Sequence, residues 1–366
     1  MRRAALFPIA IALALASCNT RAPAPAASGS QTGSPSVRPS ATATKKPTHV
    51  VSARQALYVF QSSIWLYDVK TNKARQLTQG GTVSMPKWID ANHFSFVQSG
   101  NTLRIVDLKS STTTDVFTAP GGIQAYGWSP DGGTVAYIET DSSSYPHLRY
   151  RSISDGATQS VATLARAPGR GVSQFDDVRI QYTSGGAYVL VVYTPADGDS
   201  SVPPDQSQFQ VRGADGSLAF SVAMSREPTM GLFSRDGKTV YFMDSGGVRA
   251  WTASSGSTRT LRKTNWFDPW QSPDGSKIAF DSGDFSTTVR VRVLDLRALT
   301  VVTVSKPGRA RPVFAGPHSL WAQVVTPCPG ACDGPVFGAV FLIDTVTKAE
   351  RALPMQSLQD VDVFYS

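Results

Sequence analysis

The chain of 366 residues is poor in the groups that most enzymes use. It has three cysteines and four histidines (His49, His93, His147 and His318) scattered along its length. Neither a Gly-x-Ser-x-Gly elbow nor an HExxH pair occurs. Glutamate is scarcer still: Glu139, Glu227 and Glu350 stand against 24 aspartates. Glu favours helices and Asp favours turns, so the imbalance, with 30 glycines, predicts an all-β, turn-rich body and excludes most helix-dependent cofactor folds. Asp197 and Asp199 lack the spacing and the terminal Glu of a calcium loop, so no metal or cofactor is expected.

The longest apolar run, Ala4–Ala16, follows the basic pair Arg2-Arg3. As a helix it would rise about 20 Å, short of the roughly 30 Å of bilayer hydrocarbon, and it reads as an export signal. Leu15-Ala16-Ser17-Cys18 at its end resembles the lipobox of bacterial lipoproteins. That resemblance implies cleavage after residue 17, a lipid on Cys18, and attachment to the outer side of a bacterial cell membrane. Residues 19–49 are Ala, Pro, Ser and Thr without apolar periodicity, expected to form a disordered tether, so residues 18–49 would link the lipid to a domain at 50–366. Cys328 and Cys332 flank a compact turn in an exported chain, which favours a structural disulfide over a redox pair or a metal site.

The net charge of +8 invites a nucleic-acid reading. Arg2, Arg3, Arg21, Arg38, Lys45 and Lys46 lie in the signal and tether, however, leaving +2 for residues 50–366. No nucleic-acid partner is expected.

The remaining sequence repeats. Trp128-Ser129-Pro130-Asp131-Gly132, Phe233-Ser234-Arg235-Asp236-Gly237 and Gln271-Ser272-Pro273-Asp274-Gly275 each precede an apolar run. Weaker copies begin at Trp88, Gln181 and Phe314, giving offsets of 40, 53, 52, 38 and 43 residues. Pro presets φ, Asp bonds nearby backbone and Gly accepts positive φ, so the phrase is a hairpin turn and its aspartates are turn formers. Strand–turn–strand units at this spacing predict the blades of a β-propeller.

Ala56–Phe60, Ile64–Val69 and Ala74–Leu77 match the second to fourth strands of a blade with no first strand ahead of them. Asp360–Ser366 matches a first strand with nothing after it. The ring should therefore close by pairing the two ends, which gives seven blades of about 44 residues, with six blades as the alternative. The Ser-Pro-Asp-Gly phrase resembles the WD-repeat-like propeller repeats of TolB-type periplasmic proteins. Those usually have six blades and a small N-terminal domain, whereas seven blades and a tether are expected here.

In such blades the A–B turns are tight, and the long segments Glu139–His147, Ala165–Gln174, Pro195–Ser207 and Cys328–Pro335 fall on the opposite face. That face is the expected recognition surface, with Tyr145, Arg166, Arg170, Trp266, Phe267, Phe285 and Arg309 as candidates because aromatic and Arg side chains dominate hot spots. Asp244-Ser245-Gly246-Gly247 is similar to a chymotrypsin-type nucleophile segment, but Met243 replaces the Gly before it and the position reads as a plain hairpin. The favoured function is a non-enzymatic, lipid-anchored scaffold that binds an envelope protein, a peptidoglycan component or an exported ligand. The alternative is a propeller enzyme acting on glycans or small molecules through channel acids, for which Asp176, Asp177, Asp360 and Asp362 are the visible entries.

Overall fold

Each turn phrase forms the hairpin its residues predict. Asp131 accepts hydrogen bonds from the Ser129 hydroxyl (2.5 Å) and the Gly133 amide (3.0 Å), and Ser129 Oγ accepts from the Thr134 amide at 2.9 Å. Asp236 with Ser234, and Asp274 with Ser272, repeat the arrangement. The turn glycines Gly132, Gly237 and Gly275 sit at φ 68°, 69° and 73°.

The computed structural model describes residues 51–142, 146–164, 175–195, 208–222, 231–244, 246–282, 288–327 and 335–366. The expected export signal, Cys18, the expected tether, Cys328, Cys332, Tyr145, Arg166, Arg170 and Phe285 lie outside them, as do the side chains of Asp176 and Asp177. Among the described residues the regular elements are all strands, arranged as seven four-stranded antiparallel sheets. Six sheets run in chain order from an inner strand, A, to an outer strand, D. Their inner strands are Val83–Trp88, Ile123–Trp128, Phe175–Tyr182, Leu232–Phe233, Phe267–Gln271 and Arg309–Gly316, in blades 2 to 7.

Blade 1 is the exception in connectivity. Its inner strand, Asp362–Tyr365, pairs with Ala53–Phe60 through Gln55↔Phe364, Ala56↔Val363 and Leu57↔Asp362. The expected closure by the chain ends is present, and the blade count is seven.

Burial follows position in the blade. The B strands Val135–Ile138 and Ile278–Asp281 are buried at every residue, because both faces of a sheet are covered by neighbours. The outer strand Thr112–Thr118 is mostly exposed. The apolar side chains fall into seven main clusters, one in each seam between adjacent blades. Leu57, Leu66, Phe94 and Phe96 fill the seam between blades 1 and 2, and Tyr58, Tyr67, Val313 and Trp321 fill the seam that closes the ring. At roughly 1.5–3 kcal/mol per fully buried large apolar side chain, these seams are the main source of stability.

Candidate functional site

Three inner strands share an irregularity that the turn phrases do not announce. The register of Val83–Trp88 shifts between Ser84 and Lys87, that of Phe267–Gln271 between Phe267 and Trp270, and that of Arg309–Gly316 between Ala310 and Val313. Each contains an X-Pro pair: Met85-Pro86, Asp268-Pro269 and Arg311-Pro312. Proline cannot donate to the ladder, so the strand bulges there. Met85 (φ 52°), Asp268 (φ 44°) and Arg311 (φ 54°) are driven into the left-handed region, and Asp360 (φ 48°) does the same just ahead of the blade 1 inner strand. The four residues belong to consecutive blades 6, 7, 1 and 2.

The bulges are held from neighbouring blades. Asp281 Oδ2 in blade 6 accepts from the Arg311 amide in blade 7 at 2.8 Å. Asp360 Oδ2 accepts from the Met85 amide at 3.3 Å, and Asp362 Oδ2 from the Trp88 amide at 2.7 Å. From blade 3, the Tyr126 hydroxyl donates to the Met85 carbonyl at 2.7 Å. Arg179 Nη2 in blade 4 reaches Asp268 Oδ1 in blade 6 at 3.4 Å, passing the two-residue inner strand of blade 5. Arg311 lies over the Phe337 ring, 3.6 Å from its centroid.

These residues begin their inner strands, and Asp281 lies near the end of its B strand. They therefore cluster at the end of the channel where the B–C and D–A connections lie. At the other end the Trp270 indole donates to the Tyr365 hydroxyl (2.9 Å), which donates to the Phe314 carbonyl (2.7 Å). Arg235 lies over the Tyr365 ring there, 6.0 Å from its centroid, so one end of the channel is lined by acids and cations and the other by aromatic rings under a single guanidinium.

Asp281 is the unusual member. It is 0% exposed, and its Oδ1 has no hydrogen-bond partner. Burial, reinforced by the charge on Asp268, pushes its carboxyl well above the usual range against the pull of the Arg311 amide and guanidinium. Burial lowers the Arg311 guanidinium, while Asp268, Asp281 and Asp360 support its charge. Burial also raises Asp362, opposed by Lys87 and by the Trp88 amide. Lys87 in turn lies over the Tyr126 ring at 5.9 Å. Burial thus favours the protonated form of Asp281 and sets it beside a partly desolvated cation.

The expected site residues fare differently. Asp360 and Asp362 do enter the channel wall. Trp266 is wholly buried in the seam between blades 5 and 6, with Met243 and Phe280. Arg309 is bound to Glu350 at 2.9 Å and stacks on Phe341, and Phe267 is half-buried. None of these three presents a freely exposed side chain. Asp244 pairs with Arg249 and accepts from the Gly246 amide, as a hairpin residue does. Sequence reasoning missed Asp268, Asp281, Arg179, Arg311 and Lys87. The recurring X-Pro pairs were the available signal for the bulges, and an acid ending the apolar run Ile278-Ala279-Phe280 was the signal for Asp281.

No family model matches the chain, and no curated protein matches it in sequence. Solved structures do share its architecture. An oligogalacturonate lyase in complex with manganese is similar at 14% identity with a TM-score of 0.59, over 78% of this chain and 84% of the other. The β-propeller domain of Cps50 (Swd1) from Myceliophthora thermophila is similar at 12% identity with a TM-score of 0.51, over 75% and 94%. TolB from Acinetobacter baumannii superposes more loosely, with a TM-score of 0.46 at 14% identity, over 84% and 81%. At these identities the likeness shows one thing: the chain has the β-propeller fold.

Proposed function

We propose that the protein is a lipid-anchored extracytoplasmic propeller acting as a binding scaffold in the bacterial cell envelope. The lipid would sit on Cys18, and recognition would use the face that carries the charged channel end and the B–C and D–A connections. The observation that supports a scaffold is how the channel carboxylates are used. Asp360 and Asp362 each accept a backbone amide of the next blade, and Asp268 is paired with Arg179. Such contacts hold blades in register, which is a structural use of these carboxylates. The partner is expected to be an envelope protein, a peptidoglycan component or an exported ligand.

Two measurements test this reading. Cys18→Ala should move the protein from the membrane fraction to a soluble exported pool, and continued membrane attachment would remove the anchor. The mature propeller should retain an envelope component that a variant altered in segments 139–147 and 165–174 does not retain. Equal capture by both would remove the face.

One observation favours the second reading, an enzyme acting on glycans or small molecules. The buried Asp281, whose Oδ1 has no hydrogen-bond partner, lies beside Arg311 and has the raised carboxyl that a general acid requires. Turnover of a glycan that disappears with Asp281→Asn while the fold persists would establish that reading over the scaffold.

A further inference from the structure

The third strands of the blades repeat an arginine. Arg104 in Thr102–Asp107, Arg149 in Pro146–Ser152, Arg249 in Gly247–Thr252 and Arg292 in Arg290–Asp295 each follow a buried Leu or Val, namely Leu103, Leu148, Val248 and Val291. Each points toward the preceding blade's seam, on the face shared with its cross-strand partner, Phe96, Tyr137, Phe242 or Phe280 respectively.

Three of the four are neutralised within their own blade. Arg104 Nε meets Asp115 on the outer strand at 2.7 Å. Arg149 Nε meets Glu139 at 2.9 Å and Arg249 Nε meets Asp244 at 2.7 Å, both carboxylates lying on the B strand. Blade 6 has neither acid. Ser282 takes the place of Glu139 and Asp244, and Thr303, directly opposite Arg292, takes the place of Asp115. All four Nε atoms are buried, and a carboxylate meets that of Arg104, Arg149 and Arg249, whereas among the described residues none meets that of Arg292.

Arg292 instead lines a cleft of about 280 Å³ with Arg262, Lys263, Thr264, Val301 and Thr303. Among the described residues, three cations and two hydroxyls line this cleft and no carboxylate does. The cleft lies between the outer strand of blade 5 and blade 6, on the side of the ring that carries the D–A connections. Uncompensated guanidinium in a partly enclosed site is costly, and bidentate oxyanion binding is the geometry that a guanidinium fork satisfies.

We infer that this cleft is a binding site for a phosphate-bearing ligand. A dianionic phosphate ester balances most of the lining charge and offers acceptors to both threonines, whereas a single carboxylate leaves two cations unmatched. The volume lies just under the roughly 300–1,000 Å³ of small-molecule pockets, enough for a phosphate carrying one sugar-sized substituent. The site lies on the proposed recognition face but away from the inner strands, and the anchor and capture tests above do not alter its residues, so its failure would leave the proposed scaffold reading standing.

The decisive variant restores what blade 6 lacks. Thr303→Asp places a carboxylate opposite Arg292, as Asp115 lies opposite Arg104, and should tie up the guanidinium while keeping or raising thermal stability. Calorimetric titration of the mature chain with glucose 1-phosphate should give saturable binding that weakens with added salt. That binding should fall at least tenfold in Thr303→Asp and in the Arg262→Ala, Lys263→Ala double variant. Inorganic phosphate should bind the same site no more tightly than the sugar phosphate. Absence of saturable binding at millimolar ligand, unchanged binding in Thr303→Asp, or equal affinity for galacturonate would overturn the assignment.

Discussion

Asp281 carries the most consequential single side chain in the channel wall. Its folded carboxyl holds a proton more tightly than the ordinary value of 3.8, because burial and Asp268 oppose its charge. Folding therefore takes up a proton between that ordinary value and the raised one. Stability contributed by this group is full below the window and is lost as pH climbs through it, by about 1.4 kcal/mol per pH unit inside the window. Asp281→Asn keeps an oxygen for the Arg311 amide and removes the titration. Melting temperatures from pH 4 to pH 8 should show the variant gaining on the parent as pH rises, and parallel curves would refute a raised Asp281. The residue was legible in principle, since an acid within an apolar B strand is conspicuous. Asp360 was legible as an acid of the terminal inner strand, but Asp268 and Arg311 were not, because these groups meet only once separate blades are brought around the axis.

At the scale of the element, the hairpin phrases were readable because every interaction that makes them is local. Ser129, Asp131 and Gly132 need nothing outside their own turn, so four or five residues suffice to predict it. The inner-strand bulges need support from other blades, from Asp360 for Met85 and from Asp281 for Arg311, and no short window contains both partners. The turns also differ in a way that can be measured. A Cβ on Gly132 would meet nothing within 4 Å, so Gly132→Ala should cost roughly 1–2 kcal/mol from its positive φ alone. On Gly237 the added Cβ would lie 2.9 Å from Thr183 Cβ in the neighbouring blade, adding crowding worth roughly 1–3 kcal/mol. Urea unfolding of the two variants should rank Gly237→Ala as clearly the less stable, and equal midpoints would mean that these turns do not touch across the seam.

For the molecule as a whole, the ring depends on one non-covalent join. Six blades are continuous stretches of chain, while blade 1 is completed by Asp362–Tyr365 pairing with Ala53–Phe60. Ala56 and Val363 face each other in that pairing, and both are buried in the apolar seam between blades 7 and 1. Directly opposed antiparallel residues have Cα atoms about 4.5–5.5 Å apart, within the range a disulfide spans. The Ala56→Cys, Val363→Cys double variant should therefore oxidise spontaneously in air. The bond would close almost the entire propeller into one covalent loop, for which chain entropy allows a stabilisation of roughly 5 kcal/mol as an upper bound. The oxidised form should melt well above its own reduced form, and the reduced form should melt slightly below the parent because Val363 has lost volume in the seam. Seven seams share the load, and each blade is braced on both sides only while the join holds, so stapling it should slow unfolding of every blade together. A disulfide that fails to form, or that forms without raising the melting temperature, would mean that the ends are not partners in one sheet.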